Sequence, residues 1–205
     1  MARKTDPGTG DRLEQLLDAA LEEFASKSYG EASLNAILKE AGISKGVFYH
    51  YFADKLALYR ALLQQLADAK LKIFTEHTAG KVMPAPGEDL FAYFQRMLAL
   101  NAYIAAHDPR LYRFAVRFAR EPAGFRLQMQ NGVGTGDVTA ALVEHGLRSG
   151  TFDPAYPPEA VRAIFTYFTE HVFDLFPLAE DITPGAVEER IGLLFRFLQY
   201  GLGRK

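Results

Sequence analysis

Two short apolar-faced helices pinched together by one glycine constrain this chain more than any other feature. Residues 33 to 55 read Ser-Leu-Asn-Ala-Ile-Leu-Lys-Glu-Ala-Gly-Ile-Ser-Lys-Gly-Val-Phe-Tyr-His-Tyr-Phe-Ala-Asp-Lys. Leu34, Ile37, Leu38 and Ala41 recur at helical spacing and give the first helix one apolar face. Gly42 follows where a helix ends, a left-handed position that strains residues carrying a Cβ. Ser44 then fits an N-cap, its hydroxyl accepting from backbone N–H groups two or three residues on. Helix, glycine turn and capped helix is the helix-turn-helix pattern, whose second helix enters the DNA major groove. Lys45 and Gly46 stand at the leading end of that second helix, within reach of base edges. Such a pattern is a binding device and calls for no catalysis.

The run Ala-Gly-Ile-Ser-Lys-Gly-Val-Phe-Tyr-His-Tyr-Phe-Ala-Asp-Lys-Leu-Ala-Leu, beginning at Ala41, resembles the signature of the tetracycline-repressor (TetR) family. So does Ala-Ala-Leu-Glu-Glu-Phe-Ala-Ser-Lys-Ser-Tyr-Gly at residues 19 to 30. Leu38 departs from the family, which usually has a small alanine there, and Ser33 replaces the usual threonine while keeping its hydroxyl. The resemblance implies an all-α fold: an N-terminal helix-turn-helix DNA-binding domain over residues 1–55, then a larger helical effector-binding and dimerisation domain over 56–205. It implies a cytoplasmic transcriptional regulator, most often a repressor, released from a palindromic operator by a small molecule. It assigns Tyr49, His50 and Lys55 to DNA phosphates and puts Lys45 where bases or backbone are reached. Ser33, Ser44 and Gly46 complete the expected DNA-binding set. On this reading, truncating Lys55 weakens operator binding and flattens its salt dependence while leaving thermal stability nearly unchanged.

Composition narrows the alternatives. The absence of cysteine excludes disulfides, thiolate metal sites and a cysteine nucleophile. No run approaches the roughly 18 apolar residues of a membrane helix, and the opening Met-Ala-Arg-Lys leads into no apolar segment, so neither a membrane partner nor a secretory leader is expected. Residues 1–55 hold seven Lys/Arg and nine Asp/Glu, so 7 − 9 = −2, which is not the basic footprint usual for a DNA-binding unit. The acids Asp11, Glu14, Asp18, Glu22 and Glu23 fall on the first helix, whereas Arg3, Lys4, Lys45 and Lys55 fall in or beside the expected contact surface. Modest affinity per subunit follows, with dimerisation supplying the rest.

Further along the chain, Leu13, Leu16, Leu17, Ala20, Leu21, Phe24 and Ala25 give a first helix one apolar face, and Gly30 is expected to end it. Asp54 caps a helix running to about His77, the one expected mechanical link between the two domains. A helix over about 88–106 carries Asn101 within an apolar arc. Asp108-Pro109 opens another, on which Arg110, Arg113, Arg117 and Arg120 form a stripe opposite Leu111, Phe114, Ala115 and Phe118. That row is either a solvated basic face or the seat of an anionic partner. Gly132, Gly134 and Gly136 break or bend the helix expected over 123–149, and their spacing fits no nucleotide-binding fingerprint.

Two last helices, about 158–176 and 184–201, carry broad apolar faces that include Phe165, Phe168, Phe195 and Leu198. A homodimer through residues 158–202, packed as a four-helix bundle, would cover them. Phe94, Met97, Asn101, Phe114, Phe118, Phe125 and Met129 form the candidate ligand-binding set: an apolar or aromatic effector cavity with one orienting hydrogen bond, or the filling of an ordinary core. No cofactor is implied, and the histidines at 50, 77, 107, 145 and 171 lack metal-ligand spacing. A constitutive DNA binder without effector and a small all-helical enzyme are the competing readings.

Overall fold

The computed structural model describes residues 9–77, 83–130, 138–175 and 183–202, and every regular element among them is an α-helix. In chain order these are α1 (Thr9–Ser26), α2 (Leu34–Glu40), α3 (Lys45–Tyr51), α4 (Lys55–His77) and α5 (Leu90–His107). There follow α6 (Pro109–Ala119), α7 (Ala123–Gln130), α8 (Val138–Ser149), α9 (Pro158–Leu175) and α10 (Pro184–Leu202). The starts follow local chemistry. The Asp54 carboxylate accepts from Ala57 N–H at 2.7 Å, Asp89 from Ala92 N–H, Asp108 from Leu111 N–H and the Thr183 hydroxyl from Ala186 N–H. Each bond satisfies a donor that the helix itself leaves unpaired.

One boundary differs from expectation. α1 stops at Ser26 instead of running to Gly30, because the Ser26 hydroxyl donates to the carbonyls of Glu22 and Glu23, and Glu31 then takes the N–H and hydroxyl of Ser28. Side chains that satisfy the last carbonyls let the backbone leave the helix early. The segment 123–149 forms two helices, α7 and α8; Gly132, Gly134 and Gly136 lie outside the described residues, as do Arg3 and Lys4.

Three apolar clusters organise the packing. The first joins Leu16, Ala20 and Phe24 of α1, Ile37 and Leu38 of α2, Phe48 of α3 and Leu58, Tyr59 and Leu62 of α4. It also takes in Leu111 and Phe114 of α6 and Met129 of α7, so one core runs from the helix-turn-helix into the C-terminal part. α6 lies along α1, and α4 is therefore not the single mechanical link. The second cluster gathers Phe74, Phe91, Phe94, Leu142, Val143, Val161, Phe165 and Leu198. A small third one joins Ala119 of α6 to Val187 of α10.

The dimer face expected from sequence is corrected in its residues. Phe165 and Leu198 are buried inside the second cluster, Phe168 packs against it, and Phe195 stacks on Phe94 with ring centroids 4.3 Å apart. The apolar arc of each helix is wider than its core-facing side. Ile164 and Tyr167 of α9 and Leu193, Phe197 and Tyr200 of α10 are the ones left outside.

Gly146 permits the closest approach within the second cluster. A Cβ built there would lie 2.5 Å from Phe152 Cε2 and 2.8 Å from Leu90 Cδ2. Exchanging a helical glycine for alanine normally adds about 1 kcal/mol of stability. Gly146→Ala is expected instead to destabilise by about 1–3 kcal/mol through overpacking. Urea denaturation reads the sign directly.

Candidate nucleic-acid interface

Backbone chemistry fixes the angle between α2 and α3. Gly42 has φ +65°, and around it Ile43 N–H donates to Leu38 C=O at 3.0 Å and Gly42 N–H to Lys39 C=O at 3.2 Å. These are the paired bonds of a Schellman C-cap, in which the glycine spares the strain that a side chain would meet. The Ser33 hydroxyl accepts from Ala36 N–H and that of Ser44 from Val47 N–H, each at 3.3 Å. Both serines are thus helix caps. Ile37, Leu38 and Phe48 point into the core, and the extra volume of Leu38 is absorbed there.

The other side of α3 is open. Lys45, Gly46, Tyr49 and His50 are all exposed, Tyr49 to 58%, with its ring edge-on to Phe48 at 5.1 Å. A large aromatic is thus left in solvent beside a lysine and a histidine. Asn35 and Lys39 are exposed one turn apart on α2, away from Ile37 and Leu38, and had not been singled out.

Lys55 occupies a different setting from its three neighbours. Its Nζ donates to the carbonyls of Tyr29 at 2.7 Å and Ala32 at 2.9 Å and lies 4.5 Å above the Tyr29 ring. A cation in the first turn of a helix opposes the helix dipole. Here two carbonyl dipoles and a ring face supply the compensation that sequence reasoning had left to a DNA phosphate.

The same turn is held from two further directions. Glu23 accepts from Ser33 N–H at 2.8 Å and from Lys27 Nζ at 2.8 Å. Burial raises the Glu23 pKa, but the bonds from Lys27 and Ser33 and the charges of Lys27 and Lys55 outweigh it, so the carboxyl sits below its ordinary value of 4.5. From the C-terminal part, the Glu121 carboxylate accepts from Tyr29 N–H at 2.7 Å. The Tyr29 ring stacks on Phe125 at 5.0 Å and meets Tyr59 edge-on at 5.2 Å. Burial drives the Tyr59 phenol upward, and the nearby Glu121 charge pushes the same way. Tyr29 and Glu121 are 92 positions apart, and no periodicity or motif marks Glu121.

The arginine row finds its anions within the chain. Arg110 pairs with Asp18 at 3.2 Å, Arg113 with Glu22 at 3.2 Å and Arg117 with Glu31 at 3.1 Å. Three of the acids of the N-terminal part, Asp18, Glu22 and Glu31, are thus committed to α6.

Residues 16–62 match the family model described as bacterial regulatory proteins, tetR family. The chain is 29% identical over 186 residues to the HTH-type transcriptional regulator RutR of Escherichia coli K12, covering 86% of this chain and 80% of that relative. It is 45% identical over 58 residues to the HTH-type transcriptional activator FasR of Mycolicibacterium smegmatis, 28% of this chain and 26% of that one. The crystal structure of a TetR family transcriptional regulator from Chloroflexus aurantiacus superposes with a TM-score of 0.60 at 26% identity, over 96% of this chain and 95% of the other. Residues 16–62 are thus a regulatory domain of the TetR family. The chain is a DNA-binding transcriptional regulator and not an enzyme.

The candidate effector residues of this regulator fall in two places. Phe114, Phe118, Phe125 and Met129 gather in the first cluster beside Tyr59, Phe114 and Met129 without any exposure. Phe94 belongs to the second cluster, stacked on Phe195. The side chains of Met97 and Asn101 lie outside the described residues. A surface cleft of about 310 Å³ between α1 and α4 is lined by Leu13, Leu17, Leu21, Glu14, Asp18 and Gln65, and by none of the seven.

Two outcomes are expected. Lys55→Ala leaves the Tyr29 and Ala32 carbonyls without their donor and should lower stability by about 1–3 kcal/mol, measured by chemical denaturation, in place of the near-neutral effect expected from sequence. Glu23 has a depressed folded pKa, so its contribution is present above the unfolded value and is lost as pH falls through the folded one. Glu23→Gln should therefore flatten the acid limb of a stability–pH curve below about pH 4.5.

Proposed function

We propose that this regulator is a homodimeric repressor that holds an inverted-repeat operator and releases it when a small molecule binds the C-terminal part. In this division residues 1–55 read DNA and residues 56–205 bind effector and partner subunit, in the cytoplasm. Ser33, Ser44, Lys45, Gly46, Tyr49, His50 and Lys55 make or support the contacts, with Lys45, Tyr49 and His50 facing DNA and Lys55 presenting what remains of its charge beside them.

The observation that carries the dimer is the pair of exposed stripes on the last two helices. Tyr167 is 61% exposed, Phe197 70% and Tyr200 78%, with Ile164 and Leu193 beside them in sequence at helical spacing. Large apolar side chains at a spacing of three and four on two helices make a face suited to a second copy. A two-fold axis there sets the two α3 helices one DNA turn apart, roughly 34–36 Å, on an inverted repeat. A ligand that favours a wider spacing weakens operator binding by its differential affinity and no more.

The effector reading is supported by Tyr112. Its hydroxyl is buried on α6 without a hydrogen-bond partner among the described residues. A buried hydroxyl left unpaired is costly, and an apolar or aromatic ligand carrying one polar group would satisfy it. The seven candidate residues and Tyr112 belong to α5, α6 and α7, the helices proposed to enclose the ligand.

Selection of bound duplexes from a random pool is expected to return an inverted repeat. Recovery of a single unrepeated site would argue against the dimeric arrangement. Phe197→Asp combined with Tyr200→Asp should give folded monomers by sedimentation, with operator affinity reduced at least tenfold as the two half-sites are uncoupled. A variant that remains dimeric would move the interface elsewhere.

A further inference from the structure

α6 descends along α1 as a ladder whose rungs reach toward the helix-turn-helix. Arg110, Arg113 and Arg117 meet Asp18, Glu22 and Glu31 in turn, and Glu121 at the foot meets Tyr29 N–H. The rungs are unequal. In the first two pairs both side chains are about half exposed, and in the third Glu31 is open to solvent. Pairs of this kind contribute little and fade with salt. Glu121 is only 7% exposed, and its 2.7 Å bond is a charge-assisted one in a sheltered place.

The surroundings of Glu121 are built rather than incidental. It follows the last turn of α6, where Arg120 N–H and Glu121 N–H close back on Arg117 C=O and Phe118 C=O. Arg126, itself buried, donates through Nη1 to Ala119 C=O at 3.1 Å and to Glu121 C=O at 2.6 Å. α7 thereby ties down the backbone that carries the carboxylate. Burying a carboxylate costs several kcal/mol unless it gains partners. The donor that it meets belongs to the turn from which α2 and α3 are suspended, the turn also gripped by Glu23 and Lys55.

We infer that Glu121 is a positioning residue for DNA binding: its buried carboxylate, fixed at the α6–α7 corner, holds the Tyr29 amide and so sets the attitude of the helix-turn-helix relative to the rest of the chain. The inference rests on the DNA-binding reading above and adds a second line of control to it. A shift of the α6–α7 corner by about 1 Å would stretch this bond beyond hydrogen-bonding range, whereas the long arginine side chains follow such a shift without breaking. The regulated contact between the two parts of the chain is therefore the buried rung.

The test uses the full chain, the duplex selected for it, and two substitutions. Glu121→Ala removes the acceptor. Glu121→Gln keeps an oxygen that accepts from Tyr29 N–H. Operator affinity is measured by fluorescence anisotropy across a salt series, well below the melting temperature of each protein. Glu121→Ala is expected to lose roughly tenfold in affinity with an unchanged salt slope, since the bound state neutralises the same phosphates, and Glu121→Gln to stay within about threefold of the unmodified chain. A purely structural role would lower the melting temperature of the alanine variant and leave its affinity as it was; that result overturns the inference, as does equal loss in both variants. If Glu121→Ala does not fold, Glu121→Asp retracts the carboxylate by one methylene with its charge kept, and unmodified affinity there overturns the inference equally. Failure of the unmodified chain to select any duplex overturns the DNA-binding reading itself, a different outcome from a variant that binds as well as its parent.

Discussion

Tyr29 is gripped through its N–H by Glu121, through its C=O by Lys55, and through its ring by Phe24, Tyr59 and Phe125. Those partners come from α1, α4, the end of α6 and α7, so one residue in a short turn gathers most of what fixes the helix-turn-helix to its support. The physical reason is geometric. A turn between helices leaves backbone groups unpaired, and a buried unpaired group is costly, so whatever supplies its partners also dictates where it lies. The two seven-residue helices that follow are too short to be stable alone. Their orientation depends on the cluster beneath them and on this turn.

The helical architecture and the helix-turn-helix were legible because they are written in local chemistry. Gly42 at positive φ, the Ser44 cap, Asp54 and Asp108 before Pro109 act within three or four residues and were placed from sequence. Tyr49 and His50 were named by the family resemblance and Lys45 by its place at the leading end of the helix, and all three are exposed. What escaped notice is long-range. No pattern in the chain announces that Glu121 will meet Tyr29, or that the arginines of α6 will find Asp18, Glu22 and Glu31. The two carbonyls that Lys55 meets within the chain are equally absent from any local pattern. On α9 and α10 the apolar arcs were recognised, yet periodicity alone does not say which half of a wide arc turns inward.

Charge placement reconciles an acidic N-terminal part with DNA binding. Asp18 and Glu22 of α1 are matched by α6 and lie along that seam, while the α3 surface carries Lys45 and His50. Net charge over a domain is thus a poor guide when the anions are committed to a neighbour. A field at the DNA surface depends on which charges face it, and at physiological ionic strength those more than about 8 Å away are largely screened.

The continuity of the first core from Leu16 to Met129 has a bearing on how such proteins can be recombined. Cutting the chain after the helix-turn-helix would strip Leu111, Phe114 and Met129 from the shared interior and leave Tyr29 without Glu121. A chimera that grafts this reading head onto the sensor of another regulator must therefore transplant the matching surface of α6 and α7 as well. Otherwise the head is attached by its peptide backbone alone, without the contacts that fix its attitude. For this chain the seam of α1 with α6 and α7 thus limits which bodies its head can be joined to.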